Sequence, residues 1–282
     1  MGLMNKSIRK MNLSNGKKIF YLNRAEVNFL DNQIKNYFKH GIKLKKNNTV
    51  FDVGANIGMF SLYCCDLCDN KVNIHAFEPI PQIFEVLQRN IQHFNLDEIK
   101  LYNYGISNRA KDAVFFDYFP YASGFSTMYS EEPKKFRNAV KSDILQNINE
   151  LACFVDEINL IRKLPSFLQS CTLDFELARK LKLEKVNCQV KTISQVIYEQ
   201  NIQQIDLLKI DVEKSELDVL LGINKQDWIK IKQIVIEVHD IKHRVDEIKD
   251  LLLSHNFSKV VDEQEPFLDN SEYYNIYAIQ NQ

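Results

Sequence analysis

Strand-like and helix-like segments alternate along most of this chain with short connections between them, the pattern of strands joined by helical crossovers. That places it in the α/β class, with a mainly parallel sheet covered by helices on both faces. A strand that passes through a glycine-bearing turn straight into a helix, VFDVGANIGMF at 50–60, supports the same class, because such turns sit at the carboxyl edge of open parallel sheets. Composition agrees: 282 residues, 45% hydrophobic and 26% charged, are globular usage with enough apolar material for a large core.

The elements follow in order. Residues 23–44 carry Val27, Leu30, Ile34 and Phe38 at three- and four-residue spacing, which predicts an amphipathic helix that Gly41 stops. A strand at 49–53, a helix at 58–67, a strand at 72–77 and a helix at 81–94 make two βα units, and strands at 100–104 and 114–118 come next. Between about Pro120 and Cys188 the strand pattern gives way to a polar stretch and then to helical runs at 144–160 and 173–183. These are expected to form a lid inserted into the sheet; a small independent helical domain with Leu145, Ile148, Leu151 and Phe154 in its core is the other reading. The sheet resumes with a strand at 205–210, a helix at 215–221, a strand at 231–238, a helix at 245–255 and strands at 257–261 and 273–279. The expected organisation is one domain over 1–282, divided into an N-terminal helical cap (1–45), a ligand-binding half (46–119), the helical lid (120–190) and the C-terminal half of the sheet (191–282).

Charge and cysteine usage narrow the function. Thirty-six Lys and Arg against 37 Asp and Glu leave a net charge of -1, so no nucleic-acid partner is expected. Six scattered cysteines are too few for a disulfide scaffold and fit a reducing compartment. Cys65 and Cys68 form a lone CxxC without zinc-site companions, which predicts buried helix thiols. The N-terminus lacks a signal-peptide core, and no apolar run is of membrane-spanning length. A soluble cytoplasmic protein with no membrane partner is expected.

Asp52, Gly54, Asn56 and Gly58 mark the first strand-to-helix turn. Gly54 is expected to let the backbone turn tightly and approach a ligand, and Gly58 to let the helix start close to the sheet. The spacing is neither the pyrophosphate Gly-x-Gly-x-x-Gly nor a P-loop, so dinucleotides and ATP are poor candidates. Glu78 ends the next strand 24 positions after Gly54 in HAFEP, where an acid can accept both hydroxyl protons of a free ribose.

VFDVGANIGMFSL, the acid in FEP, GISN at 105–108 and LLKIDVEKSELDVLLGI at 207–223 together resemble the FkbM family of S-adenosylmethionine-dependent methyltransferases. The resemblance spans nearly the whole chain and is weakest in the lid. Its N-terminal helix, with Asn23, Glu26 and Tyr37, is similar to forms from cyanobacterial polyketide and nonribosomal peptide pathways. It implies a Rossmann-like, seven-stranded methyltransferase sheet and O-methyl transfer from S-adenosylmethionine, leaving S-adenosylhomocysteine, to a small-molecule or carrier-protein-bound natural product. Lys214-Ser215 departs from the pattern, which more often has Gly-Ala there.

Physically, amides near Gly54 could hold the methionine carboxylate of such a cofactor and Asp52 its ammonium, directly or through water. Tyr104, Gly105 and Ile106, after the third strand, could shape the adenine slot. Two acid clusters end later strands: Asp211 and Glu213 in KIDVEKSE, and Glu237, His239 and Asp240 in IEVHD. His239 is the expected general base, with Glu237 on the same strand parity orienting it and Asp211 completing the pocket. The set Asp211, Glu237 and His239 could instead ligate a divalent cation, although no metal is the preferred expectation. His75 and His243 are expected to be structural or surface residues. YASGFSTM predicts a mobile closing segment at Ser123–Met128, hinged at Gly124. Methylation of a peptide carboxyl or nitrogen, and a silent adenosyl-binding scaffold, are the competing functions.

Overall fold

The computed structural model describes residues 8–13, 15–96, 98–153, 155–264 and 273–281. A hairpin of β1 (Arg9–Asn12) and β2 (Lys18–Tyr21) precedes α1 (Arg24–Gln33), which tightens into a 3-10 turn at Ile34–Phe38. Asn23 caps α1 by accepting the amide of Ala25. The helix expected to reach Gly41 ends at Phe38, because Lys39 is already extended, at ψ 178°.

The first half of the sheet follows the expected alternation: β3 (Thr49–Val53), α2 (Met59–Leu67), β4 (Asn73–Phe77), α3 (Pro81–His93) and β5 (Ile99–Tyr102). In α3, Pro81 supplies a preset first turn, and Ile83, Val86, Leu87 and Ile91 repeat on the face that packs on the sheet. Asn90 is fully buried on that face. Its carboxamide accepts the amide of Phe20 and donates to the carbonyls of Phe20 and Ile57, pinning hairpin and glycine turn to one helix. Cys64, Cys65 and Cys68, on α2 and just after it, are buried, and burial pushes all three thiols up.

The middle of the chain departs from expectation. β6 (Gly105–Ile106) and β7 (Lys111–Tyr118) lead into α4 (Pro133–Gln146), α5 (Ile148–Leu151), α6 (Asp156–Ile161) and α7 (Ser166–Lys180). β8 (Glu184–Lys191) then occupies the end of the stretch read as helical. It pairs antiparallel with β7 and parallel with β6, and its alternation of exposed and inward residues ends in buried Cys188 and Val190. Phe154 lies outside the described residues.

The chain closes with α8 (Ile193–Glu199), β9 (Leu207–Ile210), α9 (Glu216–Leu221), β10 (Gln233–His239), α10 (Arg244–Ser254), β11 (Phe257–Gln264) and β12 (Tyr273–Gln280). The main sheet has seven strands in the order β11-β12-β10-β9-β3-β4-β5. The five from β10 to β5 are parallel, and β12 runs antiparallel to both its neighbours. Both faces are covered, so β3 and β9 read as near-continuous apolar runs: Val50 joins the cluster under α2 and α3, while Phe51 and Val53 join the cluster under α8, α9 and α10. Strand order reverses between β3 and β9, so Gly54 and Asp211, each just past its strand, border the crevice where such sheets bind ligands. Among the described residues no helix is long and apolar enough to cross a membrane.

Candidate active site

A cavity of about 370 Å³ opens at this crevice, within the size range of small-molecule sites. Its sheet-side wall carries Gly54, Asn56, Glu78, Gly105 and Ile106; Asp211, Glu213, Glu237, the 121–128 segment and residues of α1 and the helical insertion are among the others that line it.

The glycine turn is built differently from the sequence expectation. Gly54 has φ +80°, and a Cβ there would lie 1.8 Å from the carbonyl oxygen of Asp211, so the neighbouring strand's backbone already demands glycine. The amides of Gly54 and Ala55 donate to Phe77 O, Asn56 N–H to Glu78, Ile57 N–H to the Asn56 side chain and Gly58 N–H to Ala55 O. These five amides are spent within the turn, so none of them is open to a carboxylate. Gly58, at φ +91°, does bring the helix in close, since a Cβ would sit 2.6 Å from Leu87 Cδ1.

Asp52 is also corrected. It is fully buried, accepts a hydrogen bond from Ser61 Oγ and lies 3.2 Å from Lys209 Nζ, so it faces the sheet interior and does not line the cavity. Lys209 is the hub beneath the site: its ammonium donates to Gly54 O at 2.8 Å and stands 3.3 Å from Asp211 Oδ2. Burial works against that charge, but Asp211 and Asp52 outweigh it and raise the lysine's pKa.

Glu78 reaches the cavity from the end of β4, 5% exposed. Its two oxygens accept the amides of Asn56 at 3.1 Å and Ile80 at 2.9 Å, which fixes the carboxylate and leaves each oxygen a further lone pair. Burial raises its pKa to about 7 against the opposing pull of those two hydrogen bonds.

Asp211 and Glu237 meet across Tyr37, whose hydroxyl lies 3.2 Å from Asp211 Oδ2 and 3.3 Å from Glu237 Oε2. Gln33 Nε2 donates to Glu237 Oε2. The 3-10 turn after α1 therefore delivers Tyr37 to the ends of two sheet strands. His239 does not join them. Its Nδ1 is 3.1 Å from Glu216 Oε1 and its Nε2 2.9 Å from Glu213 Oε2, with Arg244 on the other oxygen of Glu216. Burial disfavours its charge, yet Glu213 and Glu216 overcome this and hold its pKa well above the ordinary range. The expectation of a neutral His239 oriented by Glu237 is therefore corrected: the imidazole is a buried cation between two other carboxylates, absent from the cavity wall. The alternative cation set of Asp211, Glu237 and His239 is dispersed by the same arrangement, and no group of three or more His, Cys, Asp or Glu among the described residues is placed to hold a metal ion.

Gly105 and Ile106 line the cavity. Tyr104 does not; its ring packs on Phe77 and Tyr102, with Lys191 Nζ 4.8 Å from its centre. His75 is buried against Tyr102, its pKa lowered to about 4 by burial, and His243 precedes α10 in a left-handed conformation. The segment around Ser123–Met128 is tied down: Glu26 accepts from Ser123 Oγ and Gly124 N–H, and Thr127 Oγ1 donates to Glu213 O. Gly124 has no left-handed φ and open space at its Cβ, so nothing there requires a glycine. Lys214, where the resemblance expects glycine, does adopt φ +66°.

Sequence reasoning missed Lys209, Gln33 and Glu216, and it named Glu213 without pairing it to His239. Lys209 was findable: it is the one charged residue in the run LLKI, two positions before Asp211 and so on the same side of the strand.

The Methyltransferase FkbM domain family matches residues 52–259. The chain is 32% identical over 280 residues to the 31-O-demethyl-FK506 methyltransferase FkbM of Streptomyces tacrolimicus, covering 98% of both chains. It is 31% identical over 278 residues to the AMB antimetabolite synthetase AmbE of Pseudomonas aeruginosa, spanning 96% of this chain but 12% of that much longer one. Among solved structures, Methyltransferase FkbM from Methylobacillus flagellatus KT superposes with a TM-score of 0.51 at 14% identity, over 90% of this chain and 52% of that one, a likeness of fold. The chain belongs to the FkbM methyltransferase family and is an S-adenosylmethionine-dependent methyltransferase.

Proposed function

We propose that the protein methylates a hydroxyl group of a natural-product intermediate, with Glu78 holding the cofactor and Asp211 and Glu237 serving the acceptor. The observation that carries this reading is the pair of carboxylates bridged by the Tyr37 hydroxyl on the wall of the same cavity that Glu78 lines. When bound, S-adenosylmethionine supplies an electrophilic methyl group. The donor set fits it: Glu78 accepts two ribose hydroxyls through its remaining lone pairs, Ile80, Ile83 and Ile106 offer apolar walls to a base, and the Asn56 carboxamide is the turn's remaining donor for a carboxylate.

An acceptor hydroxyl must lose its proton as it attacks. Asp211 and Glu237 receive that proton, and Tyr37 orients the two carboxylates toward one point. Lys209 keeps Asp211 in register with the Gly54 turn through the contacts it makes to both. His239, charged and enclosed, holds the start of α9 and takes no part in the proton transfer. The similarity to a methyltransferase acting on 31-O-demethyl-FK506 supports an oxygen acceptor. Incubation with methyl-labelled S-adenosylmethionine and a hydroxylated acceptor tests the reading: label recovered as a base-stable ether supports it, and label recovered only as a base-labile ester or on nitrogen refutes it.

A further inference from the structure

The helices of the insertion turn an apolar side toward the sheet without filling the space beneath it. Val140, Ile144, Ile158 and Leu177 line the outer half of the cavity, and Phe29 and Leu30 of α1 face it from the other wall. Val140, Ile158 and Leu177 are at most 9% exposed, and Val140 and Leu177 pack with Phe119 and Leu181, so little water reaches these side chains. The charged side chains that α4 and α7 add to the wall are Asp143 and Lys180, and Lys180 already lies 3.3 Å from Glu157. The polar side chains that α1 and the 121–128 segment bring to the same walls are spent locally, Asn23 donating to Tyr121 O and Glu26 accepting from Ser123 Oγ and Gly124 N–H, while Asp211 and Glu237 stand at the inner end.

The chamber discriminates between acceptors by desolvation. Each hydroxyl of a sugar placed between aliphatic side chains would give up its water partners and find none in return. A hydrocarbon body gives up no hydrogen bonds there, and it covers what apolar wall still faces the cavity. Polar groups at one end and aliphatic walls at the other thus select a molecule with the same division.

Taking the O-methyl transfer reading above as its basis, we infer that the acceptor is an alcohol with a hydrocarbon-rich body, its hydroxyl at Asp211 and Glu237 and its body between α1 and the inserted helices. Sugars and other polyhydroxylated molecules are rejected. Val140, Ile144, Ile158 and Leu177 are then specificity-determining residues.

Calorimetry on the full chain saturated with S-adenosylhomocysteine tests this with two probes, decahydronaphthol and methyl glucopyranoside. The alcohol is expected to bind at least about tenfold more tightly than the glucoside. Ile144→Trp, or Val140→Phe as the smaller filling change, should weaken alcohol binding by about tenfold or more while leaving S-adenosylhomocysteine affinity unchanged. Phe167→Asp, on the outward face of α7 where the native ring is 68% exposed, should alter neither. Glucoside binding as tight as that of the alcohol, or alcohol binding indifferent to both filling variants, overturns the inference and leaves the methyl-transfer site standing. Failure to bind S-adenosylhomocysteine would instead remove that site, and the inference with it.

Discussion

Asp211 and Glu237 on one side, and Glu213, Glu216 and His239 on the other, are two clusters built around the ends of β9 and β10 and the start of α9, yet they occupy opposite electrostatic situations. The first lines the cavity and is bridged by the neutral hydroxyl of Tyr37, with one buried lysine beneath Asp211. The second is neutralised from within by His239 and Arg244, and of its three members only Glu213 reaches the cavity wall, Glu216 and His239 being buried behind it. Residue type alone would favour the histidine as the reactive group. Pairing decides otherwise, because an imidazole held charged between two carboxylates has no lone pair for a proton.

The sharpest way to break this contrast is to neutralise the first cluster. The double variant Asp211→Asn/Glu237→Gln should lower turnover about a hundredfold to ten-thousandfold, the range a positioned base contributes. The single changes should fail to add, since the two carboxylates share the Tyr37 hydroxyl. Steady-state kinetics checks this, and turnover within a fewfold of the parent would remove both from the chemistry.

His239→Gln probes the second cluster and should act on stability. Removing one partner from a buried ion pair costs about 3 kcal/mol, at the low end of the usual range because Arg244 still serves Glu216. Denaturant unfolding measures it, with S-adenosylhomocysteine affinity expected to hold. The sign with pH follows from the raised pKa of a group charged when protonated: the stabilisation is complete below the ordinary histidine value of about 6.5 and fades as pH rises through the higher folded value. Unchanged stability with collapsed turnover would restore His239 as the base.

Lys214→Gly should have the smallest effect. Relief of a left-handed lysine at φ +66° opposes the chain entropy that glycine adds and the loss of the Lys214–Glu131 pair, so stability should change by less than about 1 kcal/mol. A thermal melt is sufficient, and a larger loss would mean that the lysine fastens the inserted helices to the second cluster.

The contrast also marks where sequence reading stops. The strand, turn and helix around Gly54 and the acid at Glu78 were legible because local rules govern them: period-two and period-3.6 apolar spacing, glycine conformations and position at a strand end. The same logic placed Glu237 and His239 on one face of β10, but strand parity does not say which neighbours close over each position. Glu213 and Glu216 come from the connection after β9 and the start of α9, and their capture of His239 is a tertiary event. β8 was overlooked although Val186, Cys188 and Val190 alternate, because polar residues on its outer face gave it the look of the helices before it. The apolar chamber was illegible, being assembled from α1 and from helices more than a hundred residues further along.

The central claim, that Glu78 seats the cofactor in this cavity, is tested most directly by titrating S-adenosylhomocysteine calorimetrically into the parent protein and Glu78→Gln on both sides of pH 7. Glu78 has its pKa raised to about 7 by burial, and only the ionised carboxylate can accept both ribose hydroxyls. Affinity in the parent should therefore climb as pH rises through that value. Glu78→Gln should bind more weakly at the upper pH by about 1.5–3 kcal/mol, the worth of hydrogen bonds to a charged group, and should lack that climb. Equal affinities, or two profiles that run parallel through pH 7, would contradict the account.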